Sequence, residues 1–307
     1  MKRIIFLASV LAAMLILSIG CSDDSTPAGN DLLVGDTNSA EFQFVGELFG
    51  DGEIESAFRV LELSFDFLDS AGVFQSPMKN RPVSRASGTT NEVITYSLTK
   101  SYVNGWHIFS FQGLMVDTIY NDTVSFGGID SVQIRTMGAP IAVNDSTFDE
   151  IYIRAHYTYT EVGVGAGSSD LSMNLTNFVE DTLSGGMGFT INGTTTETID
   201  ALETDSNTTC DYAATSTITI TNLVFSASGD CPSGGSMSLV ADLDLTCIVS
   251  LGTSVDTISV SGLWNFSVTF NSDNTSTYSF NDGTTEWTGV DTCYTDGVQA
   301  SPYIFHH

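Results

Sequence analysis

The sequence predicts a mainly β protein built as one large antiparallel meander, on three observations. From Glu92 onward apolar and polar residues alternate with period two, turn signals fall between the alternating runs, and no helical segment is interleaved with them. The last point excludes parallel βαβ folds, which need a crossover helix between strands. In chain order the runs are Ile94-Tyr96-Leu98, Phe109-Phe111, Ile151-Ile153-Ala155-Tyr157-Tyr159, Leu171-Met173-Leu175, Met187-Phe189-Ile191, Leu243-Leu245 and Trp264-Phe266-Val268-Phe270. Asn104-Gly105, Asn121-Asp122, Gly127-Gly128, Asn192-Gly193, Gly234-Gly235 and Asn281-Asp282-Gly283 read as turns between about ten strands.

One stretch has helical period, over about residues 53–70. Ile54, Ala57, Phe58, Leu61, Phe65 and Leu68 fall on one side of a helical wheel, and Val60, Leu63 and Phe67 on roughly the other. Asp51 suits the cap, Glu53 and Glu55 the positive first turn, and Gly72 the exit. Leu61, Leu63, Phe65 and Phe67 also alternate with Glu62, Ser64 and Asp66, so a strand competes for the same residues. A sheet with one greasy face and a helix greasy on two sides predict a curved sheet or half-barrel around that helix. A β-sandwich with a peripheral helix is the alternative. In the first arrangement Phe58, Leu61, Phe65 and Leu68 are the candidate ligand-lining residues.

The chain begins with a basic head, Lys2 and Arg3, then an apolar stretch from Ile4 to Ile19, then Gly20 and Cys21. A span of that length is a signal peptide, since a transmembrane helix needs about 20 apolar residues. The run Leu17-Ser18-Ile19-Gly20-Cys21 resembles the lipobox of bacterial lipoproteins, with Ser18 where the commonest pattern has Leu. The resemblance implies cleavage before Cys21, lipid on that cysteine, and sorting to the outer membrane, because Ser22 rather than Asp follows it. The organisation expected is a signal peptide at 1–20, lipidated Cys21 and a flexible tether through residue 40, and a single β-rich domain at 41–307. Strands of an outer-membrane barrel alternate in the same way, but the lipobox, the polar tether and the Pro302 to His307 ending argue against one.

The 307 residues carry 9 Lys+Arg against 37 Asp+Glu, a net charge of −28. Such a surface repels phosphate backbones, so no nucleic-acid partner is expected. Arg154 is the last Lys or Arg in the chain, and Lys79, Arg81 and Arg85 share one Pro- and Gly-flanked loop. That loop is read as neutralised by its own acidic domain.

Beyond Cys21 stand Cys210, Cys231, Cys247 and Cys293, an even number in an exported chain, with three connectivities open. Strands at 212–227 and 236–250 about a turn at 229–235 place Cys210 and Cys247 equidistant from the turn. The later turns return Cys293 toward Cys231. The pairs expected are therefore Cys210–Cys247 and Cys231–Cys293. None of the four shows the short spacing of a zinc site.

No catalytic constellation emerges. Ser76-x-x-Lys79, Ser97-x-x-Lys100 and Ser272-Asp273-Asn274 match two elements of penicillin-recognising enzymes, but the third needs a basic residue downstream and none follows Arg154. His107 and His156 are single strand histidines read as structural. Asp242 with Asp244, and Asp273 with Asp282 and Glu286, form acidic groups without a calcium-loop pattern and are read as solvated. The expectation is a non-enzymatic, lipid-anchored outer-membrane protein, periplasmic or surface-exposed, with no cofactor or metal. Its partners are the membrane through Cys21 and a protein, a glycan or its own copies. A carrier of a hydrophobic ligand, such as an acyl chain, is the alternative.

Overall fold

A computed structural model describes residues 33–35, 92–117, 123–142, 148–181, 186–204, 208–226, 232–251, 254–273 and 275–292. Thirteen strands form one sheet: β1 (Leu33–Val34), β2 (Glu92–Val103), β3 (Trp106–Asp117), β4 (Thr123–Thr136), β5 (Ala139–Ile141), β6 (Glu150–Glu161), β7 (Gly165–Asp181), β8 (Gly186–Thr204), β9 (Thr208–Phe225), β10 (Pro232–Leu251), β11 (Ser254–Phe270), β12 (Thr275–Asn281) and β13 (Thr285–Thr292). Their order is β1-β13-β12-β11-β10-β9-β8-β7-β6-β4-β3-β2, with short β5 added beside β4. From β2 to β13 every pairing is antiparallel, as the meander predicts. The helix expected at about 53–70 lies outside the described residues, and among those residues there is no helix. The strands belong to one sheet and do not divide into two hydrogen-bonded layers, the arrangement of the sandwich alternative.

Three of the six turn signals were misplaced. Gly127-Gly128, Asn192-Gly193 and Gly234-Gly235 lie inside β4, β8 and β10, where glycine serves close packing or a bulge rather than a reversal. A Cβ on Gly128 would collide with the His156 carbonyl, and one on Gly235 with the Asn222 backbone. Glycines at 167 and 289 are roofed by the cross-strand rings of Tyr159 and Tyr278. Asn104-Gly105 is a true two-residue hairpin loop with φ of 51° and 86°, the left-handed pair a type I′ turn requires. Asn104→Val should lower stability by about 1–2 kcal/mol, because a β-branched residue resists positive φ; a thermal melt against wild type checks it.

The hairpin argument for the cysteines holds. Cys210 and Cys247 are direct partners in the β9–β10 register, their Cα atoms 4.1 Å apart, and they form a disulfide. Two register shifts interrupt β9–β10 between Pro232 and Ser236, yet Pro232↔Phe225 and Ser236↔Thr221 share one centre of symmetry with Cys247↔Cys210. The shifts cancel, so counting outward from the turn gives the right pair. Cys231 and Cys293 lie outside the described residues.

Part of the segment read as tether is in the sheet. β1 pairs in parallel with the start of β13, Leu33 opposite Thr285 and Val34 opposite Glu286, and Gly35 N–H donates to the Glu286 carbonyl at 2.7 Å. β1 and β2, consecutive among the described strands, stand at opposite edges of the sheet.

One face of the sheet is deeply buried. Val132, Ile134, Ile151, Ile153, Leu175, Ile191, Leu223, Ala241, Cys247, Val268 and Phe280 each have no exposed surface. The heaviest packing is aromatic, where Trp264 stacks on Phe280 at 5.1 Å between ring centres and Phe280 meets Trp287 at 5.5 Å. The other face is dressed in Ser, Thr, Asn and Asp, including exposed Asp242 and Asp244 on β10.

Candidate functional site

The candidate site is the polar interruption of that buried face. Register places Ala155 opposite Leu171 and Thr195, and one step along it Tyr157 opposite Ser169, Glu197, Ser216 and Ala241 in turn. Ser169, Thr195, Glu197 and Ser216 are all buried, as is Asp130 nearer the β2 edge. The Tyr157 hydroxyl donates to Asp130 Oδ2 at 3.3 Å. Ser169 Oγ, Thr195 Oγ1 and Trp264 Nε1 have no hydrogen-bond partner among the described residues. A buried polar group left so costs about 1–3 kcal/mol, which sets this strip apart from the rest of the face.

The sequence reading missed Asp130 and Glu197, though a signal existed. Asp130 stands in phase with Val132 and Ile134, and Glu197 in phase with Thr195 and Ile199, so each puts a carboxylate on an apolar phase of its strand. The strip is also a saddle. Ala155, Ser169, Thr195, Ser216, Ala214 and Ala241 are its small residues, flanked by Phe109 and Phe111 on one side and Trp264, Phe266 and Phe280 on the other.

Other predicted residues are placed as follows. Cys21, Phe58, Leu61, Phe65 and Leu68 lie outside the described residues. Ser97 sits on exposed strand β2, not at a helix start, and its hydroxyl donates to the Gln112 carbonyl. Asp273 and Asp282 do not gather, because they occupy turns at opposite ends of β12. Asp273 accepts from the Thr275 hydroxyl at 2.6 Å, a bond that holds its carboxyl below the usual carboxylate range, and Asp282 accepts from the Thr284 and Thr285 amides. Glu286 accepts from Ser279 Oγ. Each of these carboxylates thus serves a local structural bond, and among the described residues no His, Cys, Asp and Glu side chains group as metal ligands do.

His156 Nδ1 meets Asp170 Oδ1 at 2.9 Å on the exposed face. His107 is buried beside Tyr102, ring centres 4.7 Å apart, and burial lowers its pKa. Lowering means the unfolded state binds the proton more readily, so the stability at stake is present above the unfolded value near 6.5 and is lost as pH falls below it. His107→Phe should flatten the stability profile between about pH 6.5 and 5, measured by denaturant unfolding.

Comparison with protein-family models, with curated proteins and with solved structures finds no match, so the functional reading rests on this chain's own residues.

Proposed function

We propose that the protein is a lipid-anchored, non-enzymatic component of the bacterial outer membrane, whose β-domain makes structural or binding contacts outside the cytoplasm. The observation that carries this is the lipobox at Leu17 to Cys21, joined to a disulfide at directly opposed strand positions. Disulfides persist in oxidising compartments, which agrees with export. The β1–β13 pairing shortens the tether to residues 22–32. Fully extended at about 3.5 Å per residue, it lets the domain stand off by no more than about 40 Å.

We further propose that the sheet curves around a helix at 53–70. A face so largely buried needs a second layer, and β1 and β2, which residues 36–91 connect, stand at opposite edges of the sheet. A helix of that length is about 27 Å long, at 1.5 Å per residue. The saddle from Ala155 to Ala241 crosses five strands, about 19 Å at 4.8 Å per spacing, and its small side chains give a helix room to approach. The alternative occupant is a hydrophobic ligand lying between helix and sheet, its polar end on the unpartnered Ser169 and Thr195 hydroxyls.

Fractionation of cells producing wild type and Cys21→Ser tests the anchor. Wild type should follow the outer membrane and the variant the soluble periplasm; equal solubility of the two would refute the anchor. Native mass spectrometry of the detergent-free protein separates the occupants. A bare polypeptide supports the helix alone, and reproducible extra mass lost on organic extraction supports the carrier.

A further inference from the structure

The outer face carries a second feature that the apolar side does not explain. A hollow of about 320 Å³ opens over β6, β7 and β8, where register sets out a grid of two rows: Tyr152, Asn174 and Asn192 in one, Arg154, Ser172 and Thr194 in the other. Ser172, on the middle strand, is short, so the side chains around it stand apart. The grid measures about 10 Å across the strands and about 7 Å along them, the footprint of a single sugar ring with its substituents.

Its polarity is specific. The described residues contain three cationic side chains, Lys100, Arg135 and Arg154. Arg135 is occupied by Gln133 Oε1 at 2.6 Å and by Glu150 at 4.0 Å. Arg154 is exposed, has no ion pair among the described residues, and is steadied over the Trp106 ring at 5.2 Å. Arg154 thus presents a guanidinium that no carboxylate among the described residues neutralises, the group an anion would meet. Asn174, on the middle strand and diagonal to Arg154, has a buried Oδ1 with no hydrogen-bond partner among the described residues, an acceptor awaiting a donor. Asn192 Oδ1 accepts from the Asn222 amide at 2.8 Å, which leaves the Asn192 NH₂ group as its donor.

We propose that this hollow binds an anionic sugar: its acidic group on the Arg154 guanidinium, a ring hydroxyl donating to Asn174 Oδ1, and a second hydroxyl accepting from Asn192. The assignment rests on the binding reading above but not on the anchor, so it stands or falls separately from Cys21. A carboxylated sugar and a phosphorylated one share the required chemistry.

Isothermal titration of the mature protein with glucuronate oligosaccharides, glucose-6-phosphate, neutral glucose oligomers and inorganic phosphate tests it. The expected result is millimolar or tighter binding of one of the two acidic sugars and at least about tenfold weaker binding of the neutral oligomers and free phosphate. Arg154→Met and Asn174→Asp should each weaken the acidic sugar by about tenfold or more, and both are on the polar face, where folding tolerates change. Equal affinity for neutral and acidic sugars, phosphate bound as well as either, unchanged affinity in both variants, or no binding of any probe at millimolar concentration would overturn the assignment.

Discussion

Replacing Cys210 and Cys247 together by alanine is expected to cost about 4 kcal/mol of unfolding free energy. The bridge closes a separation of 37 residues, and the chain-entropy relation for a loop of that size gives this figure. For a domain this large the melting temperature should fall by roughly 10 °C. The double variant is the right probe because a reductant would also reach Cys231 and Cys293. Denaturant titration of the two proteins, with free thiols counted, checks the prediction, and a loss below about 1 kcal/mol would mean the hairpin is held by its ladder alone.

Phe280→Ala is expected to cost about 3–5 kcal/mol. Phe280 has no exposed surface and touches Trp264, Phe266 and Trp287, the densest aromatic group on the buried face. Val290→Ala, on the same strand as Trp287 but 69% exposed, should stay within about 0.5 kcal/mol. The pair of unfolding curves separates burial from mere position in the sheet, since Phe280 and Val290 lie on neighbouring strands β12 and β13. Intrinsic tryptophan fluorescence should also shift in Phe280→Ala, because Trp264 and Trp287 lose a shared neighbour.

Much of the fold was legible because period two is a direct record of which face each residue serves. Ile151 to Tyr159 and Trp264 to Phe270 read as strands and are β6 and β11. Local chemistry misled where glycine does two jobs. Asn104-Gly105 reverses the chain, while Gly127-Gly128 and Gly234-Gly235 sit in long strands, and only the cross-strand partner distinguishes these cases. The parallel pairing of β1 was not legible at all, since two residues in a Ser-, Asp- and Gly-rich stretch carry no period. The site divides similarly. The Cys210–Cys247 pair followed from hairpin symmetry, but Asp130 and Glu197 follow Gly127-Gly128 and Asn192-Gly193, which read as turns, and so stand in no alternating run. The outer grid of Arg154, Asn174 and Asn192 needs three strands in register, which no single stretch of sequence contains.

Lipid on Cys21 can be read from the mass of the N-terminal peptide of membrane-extracted protein. The peptide is expected to begin at Cys21 and to carry the mass of a diacylglyceryl group, with or without a further acyl chain on its amine. An unmodified peptide beginning at Cys21, or one that retains Lys2, Arg3 and the apolar stretch, would contradict it.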